Sequence, residues 1–101
     1  MNSTEPNPNI EQILNQLGIT DYEITDEGVN VFGNVVIPEH FTKIPIQFNI
    51  VTGNFSCYHT KITSLQNGPR EVGGDFYCWD TNIKGKPDTT GINIGGRLIW
   101  K

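Results

Sequence analysis

The chain has 101 residues, enough for one domain with a modest core and too few for two. Its seven Lys and Arg against eleven Asp and Glu give a formal net charge of -4 at pH 7. This balance disfavours direct nucleic-acid binding, because such binding depends on cations that neutralise phosphates. No stretch approaches the ~20 apolar residues that span a bilayer, so no membrane contact is expected.

The amino-terminal part of the chain changes character at residue 9. Residues 1–8 have no apolar side chain after Met1, so we expect a disordered tail there. The tail also lacks the basic and apolar regions of a secretory signal, which favours a cytoplasmic protein. Residues 9–18 carry apolar side chains at the i, i+3, i+4, i+7 spacing of one helical face, and Gly18 is the expected stop. A single domain over 9–101 is thus predicted to begin with a capping helix.

From residue 22 onward the chain repeats itself. Four windows share the pattern apolar, any, Gly, polar, apolar, any, apolar: VFGNVVI from Val31, VTGNFSC from Val51, VGGDFYC from Val72 and IGGRLIW from Ile94. Their starting positions differ by 20, 21 and 22 residues, a period typical of solenoids. The segments between windows contain turn residues, which favours irregular return arcs. We predict a mainly β repeat fold over 22–101, a right-handed solenoid of three to four coils with one short strand per coil.

Parts of these units resemble known repeats. The stretches Phe55–Pro69 and Phe76–Ile83 are similar to the leucine-rich-repeat consensus of bacterial effector proteins. The segment Ile62–Cys78, ITSLQNGPREVGGDFYC, resembles more closely the repeat of small proteins encoded by tailed bacteriophages. The resemblance covers roughly residues 22–84 and implies a degenerate, leucine-rich-repeat-like solenoid of phage origin.

Two departures from the consensus concern the ladder of side chains that joins one coil to the next and the last turn. Thr60 and Thr81 stand where the consensus has Asn. The third unit has Gly85 where the second has Leu65. We therefore expect a looser ladder and a looser last turn than in a standard repeat.

The two cysteines occupy equivalent positions one coil apart. A spacing of about 4.8 Å between neighbouring strands would allow a disulfide between Cys57 and Cys78, and nearby histidines leave a metal site as a further alternative. Ile37 and Trp100 fill the same position in the other units, which marks it as a core position. We predict buried thiols that act as small hydrophobic residues, with no cofactor and no metal.

One pairing has the residue types of acid–base chemistry: His59 with Asp80 or Asp75. The sequence has no nucleophile motif, no paired histidines at ligand spacing and no phosphate-binding glycine loop followed by a helix. We therefore predict that the protein is not an enzyme, with a reaction at His59 and Asp80 as the alternative.

The outward residues of successive coils should form rows, because equivalent positions of a parallel ladder become neighbours. The rows are Asn34, Asn54, Asp75 and Arg97; Val36, Ser56, Tyr77 and Ile99; and Pro38, Tyr58, Trp79 and Lys101. In the first row, Asp75 and Arg97 are expected to form an exposed ion pair worth at most about 1 kcal/mol. The other two rows place aromatic side chains together, an arrangement enriched at interfaces, unless a loop covers them. The predicted partner-binding residues are Tyr58, Tyr77, Trp79, Ile99, Asp75, Arg97, His59 and Lys101.

The last strand, from Leu98 to Lys101, has no polar cap after it in the sequence. Its unpaired backbone groups favour strand addition by a partner or a homodimer across a two-fold axis, unless a short twisted edge is tolerated. The resemblance implies a phage-encoded, cytoplasmic protein of an infected bacterial host that binds and inhibits or redirects a host or defence-system protein, an anti-defence factor. The alternative is a self-assembling structural protein that uses this edge and has no host target.

Overall fold

The computed structural model describes residues 9–100. The elements are α1 (Asn9–Gln16), β1 (Tyr22–Thr25), β2 (Gly28–Val31), β3 (Val35–Val36), β4 (Phe48–Val51), β5 (Phe55–Ser56), β6 (Glu71–Val72), β7 (Phe76–Tyr77), β8 (Asn93–Ile94) and β9 (Leu98–Ile99). The predicted tail at 1–8 and the predicted contact residue Lys101 lie outside the described residues. No helix within 9–100 has the length and apolar character needed to cross a membrane.

Helix α1 packs its apolar stripe against the core. Leu14 is fully buried, and the other apolar residues of the stripe are partly buried beside it. Helix α1 ends at Gln16, and Gly18 follows it with a left-handed φ of 74°. The N–H of Gly18 donates to the carbonyl of Asn15 (3.1 Å) and that of Ile19 to the carbonyl of Leu14 (2.9 Å), the bonding of a Schellman cap. The predicted helix is confirmed, with Gly18 as its stop.

The rest of the described chain winds into two parallel sheets. One sheet has the order β1-β2-β4-β6-β8, in which only β1 is antiparallel to its neighbour, and the other has the order β3-β5-β7-β9. Equivalent residues of the sequence windows pair directly, as Val35 with Phe55, Phe55 with Phe76 and Phe76 with Leu98. The predicted fold, a mainly β solenoid of stacked parallel strands with one amino-terminal helix, is confirmed, with about three turns.

Each coil carries two short strands rather than the single strand that the sequence pattern predicted. The glycine of each window marks the corner between them, so that Val51 ends β4 and Phe55 begins β5. Hydrogen bonds between coils continue through the corner, where the N–H of Gly53 donates to the carbonyl of Gly33 and that of Gly74 to the carbonyl of Gly53, both at 2.9 Å. Because the backbone hydrogen bonds between coils run through the corner, one short strand forms before it and another after it.

Three phenylalanines form the centre of the core. Phe48, Phe55 and Phe76 are fully buried, and their ring centroids follow one another at 5.4 and 5.1 Å. In the last coil the equivalent Leu98 is only half-buried, as is Ile94. The interior is therefore best packed in the middle coils.

Cys57 and Cys78 are free and buried, as their shared position with Ile37 predicted. Burial raises the pKa of Cys57 to about 12 and that of Cys78 to about 11, because a thiolate in the core would lose its hydration. Neither thiol is activated as a nucleophile, since the thiolate is the reactive form.

Candidate functional site

The aromatic pair, Tyr58 and Trp79, stands out on the surface. Each residue is 48% exposed although both are large and aromatic. Their ring centroids lie 5.2 Å apart with the planes tilted by 34°. The two residues are at equivalent positions of successive coils, just after the buried Cys57 and Cys78. The stacking of the coils therefore brings the rings together, as the sequence rows predicted.

A shallow groove of about 360 Å³ lies beside the aromatic pair. Ser56 stands in register between Val36 of β3 and Tyr77 of β7, and its short side chain leaves a gap between the two larger ones. Tyr77 is half-buried and pairs in register with the half-buried Ile99. The structure thus places Tyr58, Tyr77 and Ile99 on the predicted strand face, next to an exposed Val36.

The row that begins at Asn34 is a ladder, and not the surface ion pair that we expected. The side-chain oxygen of Asn34 accepts the backbone N–H of Asn54, that of Asn54 accepts the N–H of Asp75, and that of Asp75 accepts the N–H of Arg97, each at 2.8 Å. Both ion pairs found within 9–100 involve His59, so the carboxylate of Asp75 does not pair with the guanidinium of Arg97. It accepts the backbone N–H of Arg97 instead. The second oxygen of Asp75 accepts the hydroxyl of Tyr77 at 3.2 Å. Asp75 therefore positions both the next coil and a side chain of the strand face.

The ladder position of the leucine-rich-repeat consensus is not used between coils. The hydroxyl of Thr60 donates to the carbonyl of Cys57 in its own coil (2.8 Å). That of Thr81 accepts the N–H of Ile83, also in its own coil (3.2 Å). The Asn and Asp side chains at the corners join the coils in their place.

An acidic corner, formed by Glu39, His59 and Asp80, borders the aromatic pair. His59 and Asp80 are stacked one coil apart, and both have left-handed φ values, 59° and 58°. Nδ1 of His59 lies 2.5 Å from Oδ2 of Asp80, and Nε2 lies 3.9 Å from Oε1 of Glu39. The carboxylate of Asp80, by hydrogen bond and then by charge, raises the pKa of His59 above 6.5. The sequence suggested the pairing with Asp80 and missed Glu39, which comes from the preceding coil.

This contact makes a prediction for the pH dependence of stability. Because folding raises the pKa of His59, its stabilising effect is complete below the unfolded value near 6.5 and is lost as the pH rises through the higher folded value. The difference in thermal midpoint between the wild type and His59→Asn should therefore be largest below pH 6.5 and should shrink as the pH rises above that value. The effect should be small, because the side chains of His59 and Asp80 are 58% and 55% exposed.

Asparagine is chosen at position 59 because it tolerates a left-handed φ. The matched control is His40→Asn, which removes the other imidazole of the chain. The ring of His40 packs on that of Phe41, with the centroids 4.7 Å apart, and takes part in neither ion pair found within 9–100. The thermal midpoints would be measured by thermal denaturation in a series of buffers. A difference between the wild type and His59→Asn that does not change with pH would contradict the raised pKa of His59.

The acidic corner has one histidine, two carboxylates and an exposed aromatic pair beside it, and no nucleophile is held against the imidazole among the contacts of residues 9–100. The same part of the chain holds no group of three or more His, Cys, Asp or Glu side chains placed to bind a metal ion. Comparison of the chain with protein-family models, curated proteins and solved structures gives no significant match.

Proposed function

We propose that the chain is a protein-binding module that contacts its partner through the aromatic pair and the adjoining strand face. The observation that carries the proposal is the exposure of Tyr58 and Trp79, at 48% each, side by side on neighbouring coils of the stack. Tryptophan and tyrosine are the residues most enriched among those that dominate binding energy. A preformed surface also loses little conformational entropy on binding.

We propose the kind of partner from the resemblance that the repeat sequence carries. The segment Ile62–Cys78 resembles repeats of small proteins of tailed bacteriophages. We accordingly propose a phage protein that acts in the cytoplasm of an infected bacterium and inhibits or redirects a host protein, such as a component of a defence system. The proposal needs no catalytic group, in keeping with the buried thiols and with a histidine that contacts two carboxylates.

The test is a binding measurement with variants of the aromatic pair. The tagged chain would be used to isolate a partner from host lysate, and the purified partner would then be titrated by calorimetry. Trp79→Ala, alone and with Tyr58→Ala, should weaken binding at least about tenfold, because buried aromatic anchors dominate interfaces. Both side chains point outward, so the fold should remain cooperative.

Phe32→Ala is the matched control. Phe32 is also 48% exposed but lies directly after β2, outside the three rows of the strand face. Binding should be unchanged in this variant. Equal losses for Phe32→Ala and Trp79→Ala, or no loss for either, would refute the assignment of the surface.

A second candidate function is self-assembly through the last coil. Strands β8 and β9 each have one neighbouring strand among residues 9–100, and Ile94 and Leu98 beside that edge are half-buried. Native mass spectrometry over a concentration series separates the two functions. A chain that stays monomeric at high concentration excludes self-assembly, and one that forms dimers or larger species without a partner favours it.

A further inference from the structure

The aromatic pair and the acidic corner form one continuous surface. The ring centroids of Trp79 and Tyr58 are 5.2 Å apart, and those of Tyr58 and His59 are 5.7 Å apart. His59 in turn contacts Asp80 on one side and approaches Glu39 on the other. Flat π systems and two carboxylates therefore follow one another along adjacent coils.

The acidic corner keeps a negative charge whichever form the imidazole takes. Two carboxylates face at most one imidazolium, and the side chains of Glu39 and Asp80 are 76% and 55% exposed. Within residues 9–100, no Lys or Arg forms an ion pair with either of them, since both ion pairs found there belong to His59. The chain as a whole is also acidic, at -4. The surface is thus complementary to a cation.

We propose that this surface is the subsite for an exposed arginine side chain of the protein partner. The inference rests on the proposed function and deepens it by giving the chemistry of the contact. A guanidinium plane stacks on the face of Trp or Tyr, and its N–H groups donate to a neighbouring carboxylate. Arginine suits the site better than lysine, because a guanidinium is planar and less strongly hydrated than an ammonium group.

The first experiment uses a blocked peptide, acetyl-Gly-Arg-Gly-amide, as the probe. Chemical shifts of the ¹⁵N-labelled chain would be followed during titration, with the indole N–H of Trp79 and the amides of His59 and Asp80 as reporters. Saturable shifts confined to this surface are expected, with a dissociation constant in the millimolar range. The same peptide with citrulline, the neutral isostere of arginine, should bind about tenfold more weakly.

Two variants separate the contributions of charge and of the π face. Asp80→Asn removes the charge but keeps an oxygen for His59, and asparagine tolerates the left-handed φ of 58° at this position. Trp79→Leu keeps an apolar side chain but removes the ring. Each should weaken binding of the arginine peptide about fivefold.

The control is Glu71→Gln, which makes the same charge change at an exposed position of β6, in the other sheet. It should leave the affinity for the arginine peptide unchanged. Equal weakening in Glu71→Gln and Asp80→Asn would show a response to net charge alone and would overturn the inference.

The outcomes keep the inference and the proposed function apart. In one outcome, Trp79→Ala abolishes binding of the protein partner, Asp80→Asn has no effect, and the citrulline peptide binds as well as the arginine peptide. The binding function then stands and the arginine subsite is wrong. If the arginine peptide binds as described but no protein partner depends on Trp79, the subsite stands and the proposed function fails. Shifts at Trp79 that appear with protein concentration alone would mean that a second copy occupies the surface, which overturns the inference.

Discussion

Phe55→Ala is expected to lower the free energy of unfolding by about 3 to 5 kcal/mol, a large share of the stability of a domain of this size. Phe55 is fully buried at the start of β5. Its ring packs between those of Phe48 and Phe76, at 5.4 and 5.1 Å. Truncation therefore removes apolar surface from the core and leaves a cavity that coils joined by backbone hydrogen bonds fill poorly. Chemical denaturation, followed by circular dichroism, measures the loss.

The matched control is Leu98→Ala, at the equivalent position two coils further along the stack, where Leu98 pairs in register with Phe76. Leu98 is half-buried in β9, so its truncation should cost less than about 2 kcal/mol. Stability in repeat proteins is close to a sum of neighbour terms, and the residue in the middle of the stack has neighbours on both sides. Equal losses for Phe55→Ala and Leu98→Ala would contradict this gradient of packing.

Gly73→Ala is expected to destabilise the fold by about 1 to 3 kcal/mol, because the added methyl group has no room. A Cβ at Gly73 would lie 3.1 Å from the carbonyl carbon of Thr52 and closer still to its oxygen, and both atoms belong to the backbone. The N–H of Gly73 donates to the carbonyl of Val51 at 2.8 Å, so the coils cannot separate without losing ladder bonds. Gly73 is not among the residues with positive φ, so the cost comes from contact and not from backbone strain.

Gly95→Ala repeats the test one coil later. Its Cβ would meet the backbone of Gly73 in the same way, at 3.2 Å from the carbonyl carbon. The last coil is less tightly packed, as the half-buried Leu98 shows, and can shift at lower cost. Denaturation curves should therefore rank Gly73→Ala below Gly95→Ala in stability. The reverse order would mean that the middle of the stack yields more easily than its end.

The sequence was sufficient to predict the stacking of the coils. The period of 20 to 22 residues places Val35, Phe55, Phe76 and Leu98 in one column, and the structure pairs these residues. The apolar face of the helix also followed from spacing, and its stop followed from the glycine at position 18. Periodicity reports which positions share an environment, so equivalent positions are predicted well from it.

The partners of polar side chains could not be predicted in the same way. Asn34, Asn54 and Asp75 share a column, but the sequence does not say whether their oxygens point to water or to the next coil. One signal was present: a glycine precedes the polar residue in every window. In the second to fourth windows, a Cβ on that glycine would collide with the Asn or Asp oxygen of the coil before, so the ladder requires a glycine at this position.

The acidic corner shows a second kind of limit. His59 and Asp80 both adopt left-handed φ values, and their side chains contact each other across neighbouring coils. Aspartate is enriched in this conformation, but most aspartates do not adopt it, so residue type alone does not predict the turn. Glu39 joins the corner only because the preceding coil ends nearby, and this depends on the path of the return arc.

The side-chain ladder formed by Asn34, Asn54 and Asp75 has a direction along the stack. Each rung accepts a hydrogen bond from the coil that follows it, from Asn34 through Asn54 to Asp75. The next residue in the column is Arg97, whose guanidinium has donors and no acceptor. A further coil laid on β9, whether of this chain or of another molecule, would find no side-chain oxygen for its corner N–H. Arg97 therefore ends the ladder of side-chain oxygens at this coil, because its side chain has no hydrogen-bond acceptor to offer the next one.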